Sequence, residues 1–324
     1  MLAASATSFD ADDPLRGLTI GERPEPAPVD DTWTVVTVRT TALNHHDLWS
    51  LKGVGLRREQ LPMILGTDAS GVDEQGNPVI VHAVIGDPAR GRGDETLDPQ
   101  RSLLSEVYDG TLAERVAVPR RNLVPKPEAL SFEQAACLPT AWLTAYRMLT
   151  TRGQVAPGET VLVQGAGGGV SSALVPLAKA MGVRVWVTSR DPRKQEQALA
   201  LGADAAFDSG ARLPERVDAV MESVGAATWS HSLKSLRPGG RVVICGATSG
   251  PNPPADLARV FFLQLSVIGS TMGTRDELVE LLDFCAEHSL TPLIDRTYPL
   301  GQADRALARL ESGEGFGKVV VTNP

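Results

Sequence analysis

The chain has 324 residues, 42% of them hydrophobic and 22% charged, a balance that suits packed globular structure and a length that calls for two domains rather than one core. A net charge of −8 with dispersed basic residues excludes a nucleic-acid footprint, and no apolar run approaches the ~18 residues of a membrane span. Cys137, Cys245 and Cys285 are odd in number and far apart, which excludes a disulfide framework and a close-spaced zinc set; with no basic stretch ahead of an apolar one in the first ten residues, a cytoplasmic protein is expected.

Residues 32–40 read Thr-Trp-Thr-Val-Val-Thr-Val-Arg-Thr, a β-branched run that predicts a strand, and residues 78–83 and 112–118 read alike. Short strands between turn signals predict a β-rich, barrel-like domain. Residues 86–105 are polar and rich in Gly, Pro and Asp, with no periodicity. Ser131-Phe-Glu-Gln134 has capping-box spacing and opens a helix running toward Met148. From Thr160 the chain alternates: strands at 161–164, 183–188, 204–207, 218–223, 241–246 and 266–269, with helices between, predict a parallel sheet covered on both faces, a doubly wound α/β domain. A helix at 276–288, the segment 296–298, a helix at 301–310 and a strand at 318–322 either extend this domain or return to the first.

The run Val161-Leu-Val-Gln-Gly165-Ala-Gly167-Gly168-Gly169-Val170 carries the main chemical signal. A dinucleotide pyrophosphate needs a sharp turn, close backbone approach and a helix N-terminus aimed at it; glycines meet the first two needs and the following helix the third. Here the glycines follow one apolar strand, open a helix and precede another strand, the context the motif requires. Pro176 falls inside that helix, beyond its first turn. Where NAD sites place an acid for the ribose hydroxyls, this chain has Ser189, followed by Arg190, Asp191, Pro192, Arg193 and Lys194. Arg190 and Lys194 suit a 2′-phosphate, which points to NADPH, whereas Asp191 before Pro192 reads as a helix cap.

With these motifs in order, the chain resembles the medium-chain dehydrogenase/reductase (zinc-type alcohol dehydrogenase-like) superfamily, and within it the zinc-independent quinone oxidoreductase and zeta-crystallin-like branch. The resemblance rests on Thr41-Ala-Leu-Asn44-His-His-Asp47, Leu65-Gly66-Thr-Asp68-Ala-Ser-Gly71, Gly110-Thr111-Leu-Ala113-Glu114 and the closing Gly317-Lys318-Val-Val-Val. It implies a GroES-like β-rich catalytic domain over residues 1–125, completed by 290–324, and a doubly wound Rossmann domain over 126–289. It also implies that Asn44, Thr140 and Gly269, Ser270 and Thr271 surround the nicotinamide, that Ser223, Val224, Gly246 and Ala247 line the cofactor cleft, and that Lys318 belongs to the cofactor-binding set. The zinc branch has Cys at the position of Asn44, His-Glu at Thr67-Asp68 and a further Cys near Pro139-Thr140; none of these ligands is present, so no metal is expected.

Without a Lewis acid, the resemblance implies hydride transfer to an acceptor that is already electron-poor, a quinone or an activated enone. Asn44 either donates a hydrogen bond to a carbonyl or to the nicotinamide ribose, or is a turn residue; Asp47 either orients neighbours in the catalytic site or caps a helix. His45 and His46 read as ordinary polar or packing residues. Quinone oxidoreductases often carry Tyr where Trp49 stands, and enoyl reductases carry one near Val54; with neither present, water is left as the proton source. The alternatives are a non-catalytic NADPH-binding structural or regulatory protein and a biosynthetic enoyl or ketone reductase of the same superfamily. Relatives commonly dimerise along the edge of the Rossmann sheet, and the apolar strand near residues 265–269 predicts a homodimer.

Overall fold

The β-branched run near the start becomes a ten-residue strand, Trp33–Ala42, and the first half of the molecule is organised around it. The computed structural model describes residues 1–323, and the chain divides into two units: Met1–Leu143 together with the chain from Met272 onward, and Thr144–Thr271.

In the first unit, one sheet runs Leu123–Pro125, Pro78–Val81, Ala69–Val72, Trp33–Ala42, Lys318–Thr322 and Ile294–Pro299, with Arg115–Pro119 also paired to Trp33–Ala42. The alternating apolar side chains Val36, Val38, Val79, Val81, Val116 and Val118 close one core cluster. A second cluster packs Leu48 and Leu51 of the helix His45–Leu51 against Leu65, Leu112, Leu307 and Val319. The destination of the C-terminal segment, open from sequence, is this unit: Val320 pairs with Ala42 and Val321 with Thr41. Two strands with no strong sequence signal, Leu2–Ala6 and Leu18–Glu22, pair with each other beside it.

The aperiodic segment 86–105 is held by carboxylates. Asp98 accepts the N–H groups of Asp87 and Gln100 and the guanidinium of Arg90, while Asp94 accepts Thr96 N–H. Such local side-chain-to-backbone bonds order a chain that has no hydrophobic period.

In the second unit, six parallel strands lie in the order Ala205–Asp208, Arg184–Ser189, Thr160–Val163, Val217–Glu222, Leu236–Ile244, Ser266–Gly269. Numbered along the chain this is 3-2-1-4-5-6, the doubly wound dinucleotide-binding order, whose switch point lies between the first and fourth strands. Leu162, Trp186, Val220, Trp229, Leu233 and Val242 form its core. The helix Gly169–Ala180 runs unbroken through Pro176. The predicted helix from Ser131 begins with both arms of its capping box in place, but it does not continue as one α-helix: π-helical turns occupy Leu138–Trp142 and Met148–Arg152. Pro139, which has no N–H to donate, cannot continue the α-helical ladder and sits in the first positions of the π-helical turn that follows. Among the described residues no helix is long and apolar enough to cross a membrane.

Candidate functional site

Asn44, Asp47, Thr67, Asp68, Thr140 and Lys318 meet in one buried polar cluster of the first unit. The strand Trp33–Ala42 ends just before Asn44, which caps the helix His45–Leu51. Asp47 has no exposed surface; its Oδ2 accepts Asn44 N–H at 2.8 Å and its Oδ1 accepts Gly66 N–H at 2.9 Å. Both oxygens therefore serve backbone N–H groups, an arrangement that caps the helix and at the same time orients Asn44. Gly66 is needed for this approach: its φ is +97°, and a Cβ there would fall 2.6 Å from Thr111 Oγ1.

Lys318 is 3% exposed and donates to Leu43 O at 2.7 Å and to Asn44 Oδ1 at 2.6 Å, with Asp68 Oδ2 at 3.5 Å. Asn44 Nδ2 reaches Asp68 Oδ2 at 2.9 Å, Thr67 Oγ1 at 3.0 Å and Ala42 O at 3.2 Å. Thr67 and Thr140 hydroxyls lie 3.1 Å apart. Lys318 directs its ammonium to Leu43 O, Asn44 Oδ1 and Asp68 Oδ2, and the Asn44 amide has three inward acceptors for its two hydrogens. Burial raises the Asp68 pKa, against the opposing pull of the Lys318 ammonium and the Asn44 amide.

The donor set does not suit zinc, which takes thiolate, imidazole or carboxylate in a tetrahedral set. Asn44, Thr67 and Thr140 offer an amide and two hydroxyls, Asp68 is the one carboxylate beside them, and a cation, the Lys318 ammonium, already sits against it. Among the described residues, no three His, Cys, Asp or Glu side chains gather as metal ligands would.

His46, read from sequence as an ordinary polar or packing residue, pairs its Nε2 with Glu106 Oε1 at 3.2 Å. Burial alone would lower its pKa, but the Glu106 bond and the carboxylates of Asp47 and Asp68 carry it above the ordinary value. No local signal pairs two residues 60 positions apart.

In the second unit, the glycine run forms the turn from strand to helix at the sheet's switch point. Gly165 and Gly167 have φ of +78° and +107°. A Cβ on Gly165 would stand 2.9 Å from Val224 Cγ2, so glycine keeps the first and fourth strand ends close. Gly168 caps the helix that Gly169 and Val170 begin, and its first N–H groups have no partner within the helix. Ser223 and Val224 leave the fourth strand; their carbonyls accept Thr248 and Ser249 N–H, which fixes the loop through Gly246 and Ala247 beside them. Gly269 O accepts Arg152 Nε at 2.8 Å and Ser270 N–H reaches Ile244 O at 2.8 Å, while Thr271 is exposed.

At the end of the second strand, Ser189 is buried and its Oγ accepts Asp191 N–H at 3.1 Å. Asp191 accepts the N–H and guanidinium of Arg193, the helix-capping role expected of it, and that side-chain bond lowers its pKa. Arg190 is exposed and makes no hydrogen bond or ion pair with any described residue. Lys194 is half-buried in the first turn of the helix Pro192–Ala200.

Two family models match the sequence, the alcohol dehydrogenase GroES-like domain over residues 30–128 and zinc-binding dehydrogenase over residues 169–287. An alcohol dehydrogenase of Geobacillus stearothermophilus is 30% identical over 314 residues, covering 89% of this chain and 91% of that one. The crystal structure of an NAD-dependent alcohol dehydrogenase superposes with a TM-score of 0.91 at 34% identity, covering all of both chains. The 2-octenoyl-CoA carboxylase reductase CinF, in complex with NADP and 2-octenoyl-CoA, superposes with a TM-score of 0.91 at 26% identity over 99% of this chain and 87% of that one.

Proposed function

The chain belongs to the medium-chain dehydrogenase/reductase (zinc-type alcohol dehydrogenase-like) superfamily of NAD(P)-dependent oxidoreductases, and from that premise we propose that it is an NADPH-dependent reductase acting without zinc on a quinone or a conjugated carbonyl acceptor. The observation that carries this reading is the Lys318 ammonium lodged against Asn44 and Asp68, because a cluster that holds its own cation and offers an amide and two hydroxyls favours an acceptor that needs little activation.

In this reading Gly165, Gly167, Gly168, Gly169 and Val170 receive the pyrophosphate on unpaired helix N–H groups, and Ser223, Val224, Gly246 and Ala247 flank the bound nucleotide. Ser189, Arg190 and Lys194 bind the 2′-phosphate. Gly269, Ser270 and Thr271 serve the nicotinamide end through their backbone. Bound NADPH supplies the hydride. Asp47 and Lys318 position Asn44 rather than touching a ligand. A second reading, reduction of an enoyl thioester, is favoured by the likeness to CinF, whose bound molecule is of that class.

The test is acceptor-dependent NADPH oxidation across quinones, enones and enoyl thioesters, with elemental analysis of the same preparation. Turnover that survives chelation, on protein with no stoichiometric zinc, is the expected result. One tightly held zinc per chain, or activity with simple alcohols and NAD alone, defeats the proposal.

We infer in addition that two copies pair along the strand Ser266–Gly269. Its far side has no partner strand among the described residues, and Val267 is 49% exposed, with Phe261 and Phe262 exposed at 72% and 79% on the preceding helix.

A further inference from the structure

Glu222 ends the fourth strand of the parallel sheet fully buried, and no cation pairs with it among the described residues. A buried carboxylate without a counter-ion is costly unless hydrogen bonds satisfy it. Its Oε1 accepts the N–H groups of Val224 at 2.8 Å and Gly225 at 3.1 Å, its Oε2 accepts Ser232 Oγ at 2.6 Å, and the Thr228 hydroxyl lies 2.9 and 2.8 Å from the two oxygens. Gly225 caps the helix Ala226–Ser235 and has no side chain to offer, so the carboxylate supplies the acceptor from the strand side.

Two routes lead from Glu222 to Gly165. The shorter runs through Val224, whose Cγ2 stands 2.9 Å from where a Cβ on Gly165 would be. The longer runs through side chains. Ser232 gives its one hydrogen to the carboxylate, so its oxygen accepts Gln164 Nε2 at 3.0 Å. Gln164 is fully buried; the other Nε2 hydrogen goes to His231 Nδ1 at 2.9 Å, and Oε1 accepts the Thr188 hydroxyl at 2.7 Å. Thr188 in turn accepts two N–H groups of the glycine turn, that of Gly165 on Oγ1 at 3.3 Å and that of Ala166 on its carbonyl at 2.8 Å. One connected set of bonds thus joins the ends of the first, second and fourth strands at the switch point.

We infer that Glu222 is a positioning residue for the dinucleotide: through Val224 on one side, and through Ser232, Gln164 and Thr188 on the other, it fixes the Gly165 turn on which the pyrophosphate seats. This rests on the placement of the pyrophosphate at that turn in the reading above, and it names what holds the turn. Being fully buried, Glu222 acts through these neighbours and not by contact with the ligand. A turn fixed before binding spares the complex the cost of ordering it. The bonds act at the pyrophosphate and not at the ribose, which separates this role from that of Arg190.

Calorimetric titration of the full chain tests this without turnover, using ADP-ribose 2′-phosphate, which carries the pyrophosphate, and 2′-AMP, which does not. Glu222→Gln puts an NH2 where Ser232 and Thr228 now donate. It should raise the dissociation constant of ADP-ribose 2′-phosphate about two- to tenfold, the worth of one hydrogen bond, and leave that of 2′-AMP unchanged. Ser232→Ala severs only the longer route and should act in the same direction; it stands in for Glu222→Gln should that variant fail to fold. Thr188→Val breaks the last link of the same route, and Thr188→Ser should restore it. Added to Ser232→Ala, Thr188→Val should weaken binding little further, because both cut one chain, whereas independent structural effects add. Unchanged affinity for ADP-ribose 2′-phosphate in a folded Glu222→Gln protein, an equal loss for 2′-AMP, or additive losses in the double variant overturns the inference while leaving the reductase reading intact. A wild type that takes ADP-ribose in place of its 2′-phosphate removes the 2′-phosphate assignment, and the coupling of Ser232 with Thr188, read on ADP-ribose, then decides. A wild type that takes neither defeats the pyrophosphate placement, and the inference with it.

Discussion

Glu95 Oε1 accepts the backbone N–H of Arg275 at 2.7 Å, joining the aperiodic 86–105 segment to the first turn of a helix 180 residues later in the same unit. The same oxygen stands 3.3 Å from His82 Nε2, and both residues are at most 5% exposed. Burial works to raise the Glu95 pKa, but the His82 contact and the Arg275 N–H outweigh it and hold the group at about 2 instead of 4.5. A carboxylate depressed on folding adds stability that is complete above its unfolded value and is lost as pH falls through the folded one. Urea midpoints should therefore fall between about pH 4.5 and pH 2 in the wild type, and Glu95→Gln should flatten that part of the profile while lowering stability at neutral pH. An unchanged profile in the variant shows that the acid sensitivity lies elsewhere.

Asp47 is assigned to architecture, and its variants separate architecture from chemistry. Asp47→Ala leaves two buried N–H groups, those of Asn44 and Gly66, without acceptors, a loss of about 2–4 kcal/mol. Asp47→Asn keeps one acceptor and should lose about half as much. Chemical denaturation reads the difference, and kcat in the Asn variant should stay near wild type at temperatures where it is folded. A folded Asp47→Asn protein with abolished turnover would return Asp47 to the catalytic list.

Dimerisation through the open sheet edge predicts a concentration-dependent mass. Val267→Lys places a charge on the strand that would pair, and Phe262→Glu does so on the exposed neighbouring helix. Sedimentation should report a dimer for the wild type and a monomer for the double variant, with the far-ultraviolet spectrum unchanged. A wild-type monomer at micromolar concentration removes the interface.

The doubly wound unit was readable because its signals are local: apolar runs for the strands, glycines for the turn, and an Asp-Pro pair that caps the next helix through a bond two residues away. The cluster around Asn44 was only half readable. The residue types at Asn44, Thr67 and Asp68 could be compared with the ligand positions that the resemblance implies, but Lys318 lies 274 positions from Asn44 and no periodicity brings the two together. Its place follows from the closing strand pairing with Trp33–Ala42, the very point at which the sequence left two destinations open. The segment 86–105 was unreadable for a different reason. Its order comes from Asp87, Asp94 and Asp98 folding back on nearby N–H groups, and composition alone does not distinguish such a segment from a mobile loop.

Cofactor choice turns on the end of the strand Arg184–Ser189. A carboxylate at its tip would hold the ribose hydroxyls of NAD and repel a 2′-phosphate; Ser189 does neither, and the nearby Asp191 already accepts the Arg193 N–H and guanidinium. Arg190, exposed and without a hydrogen-bond or ion-pair partner among the described residues, can close on a phosphate without breaking such a bond. A charge-assisted hydrogen bond is worth about 1.5–3 kcal/mol, and solvent screening at an exposed guanidinium cuts this, which leaves a preference for NADPH of roughly tenfold to a hundredfold. Arg190→Ala should raise the KM for NADPH by about that factor and leave NADH nearly unchanged. Ser189→Asp should go further, weakening NADPH by repulsion while improving NADH through the ribose hydroxyls. Steady-state kinetics with both cofactors, in the wild type and both variants, reads all of these values. A wild type that prefers NADH, or an Arg190→Ala variant that weakens both cofactors equally, would mean that the 2′-phosphate does not bind at Arg190.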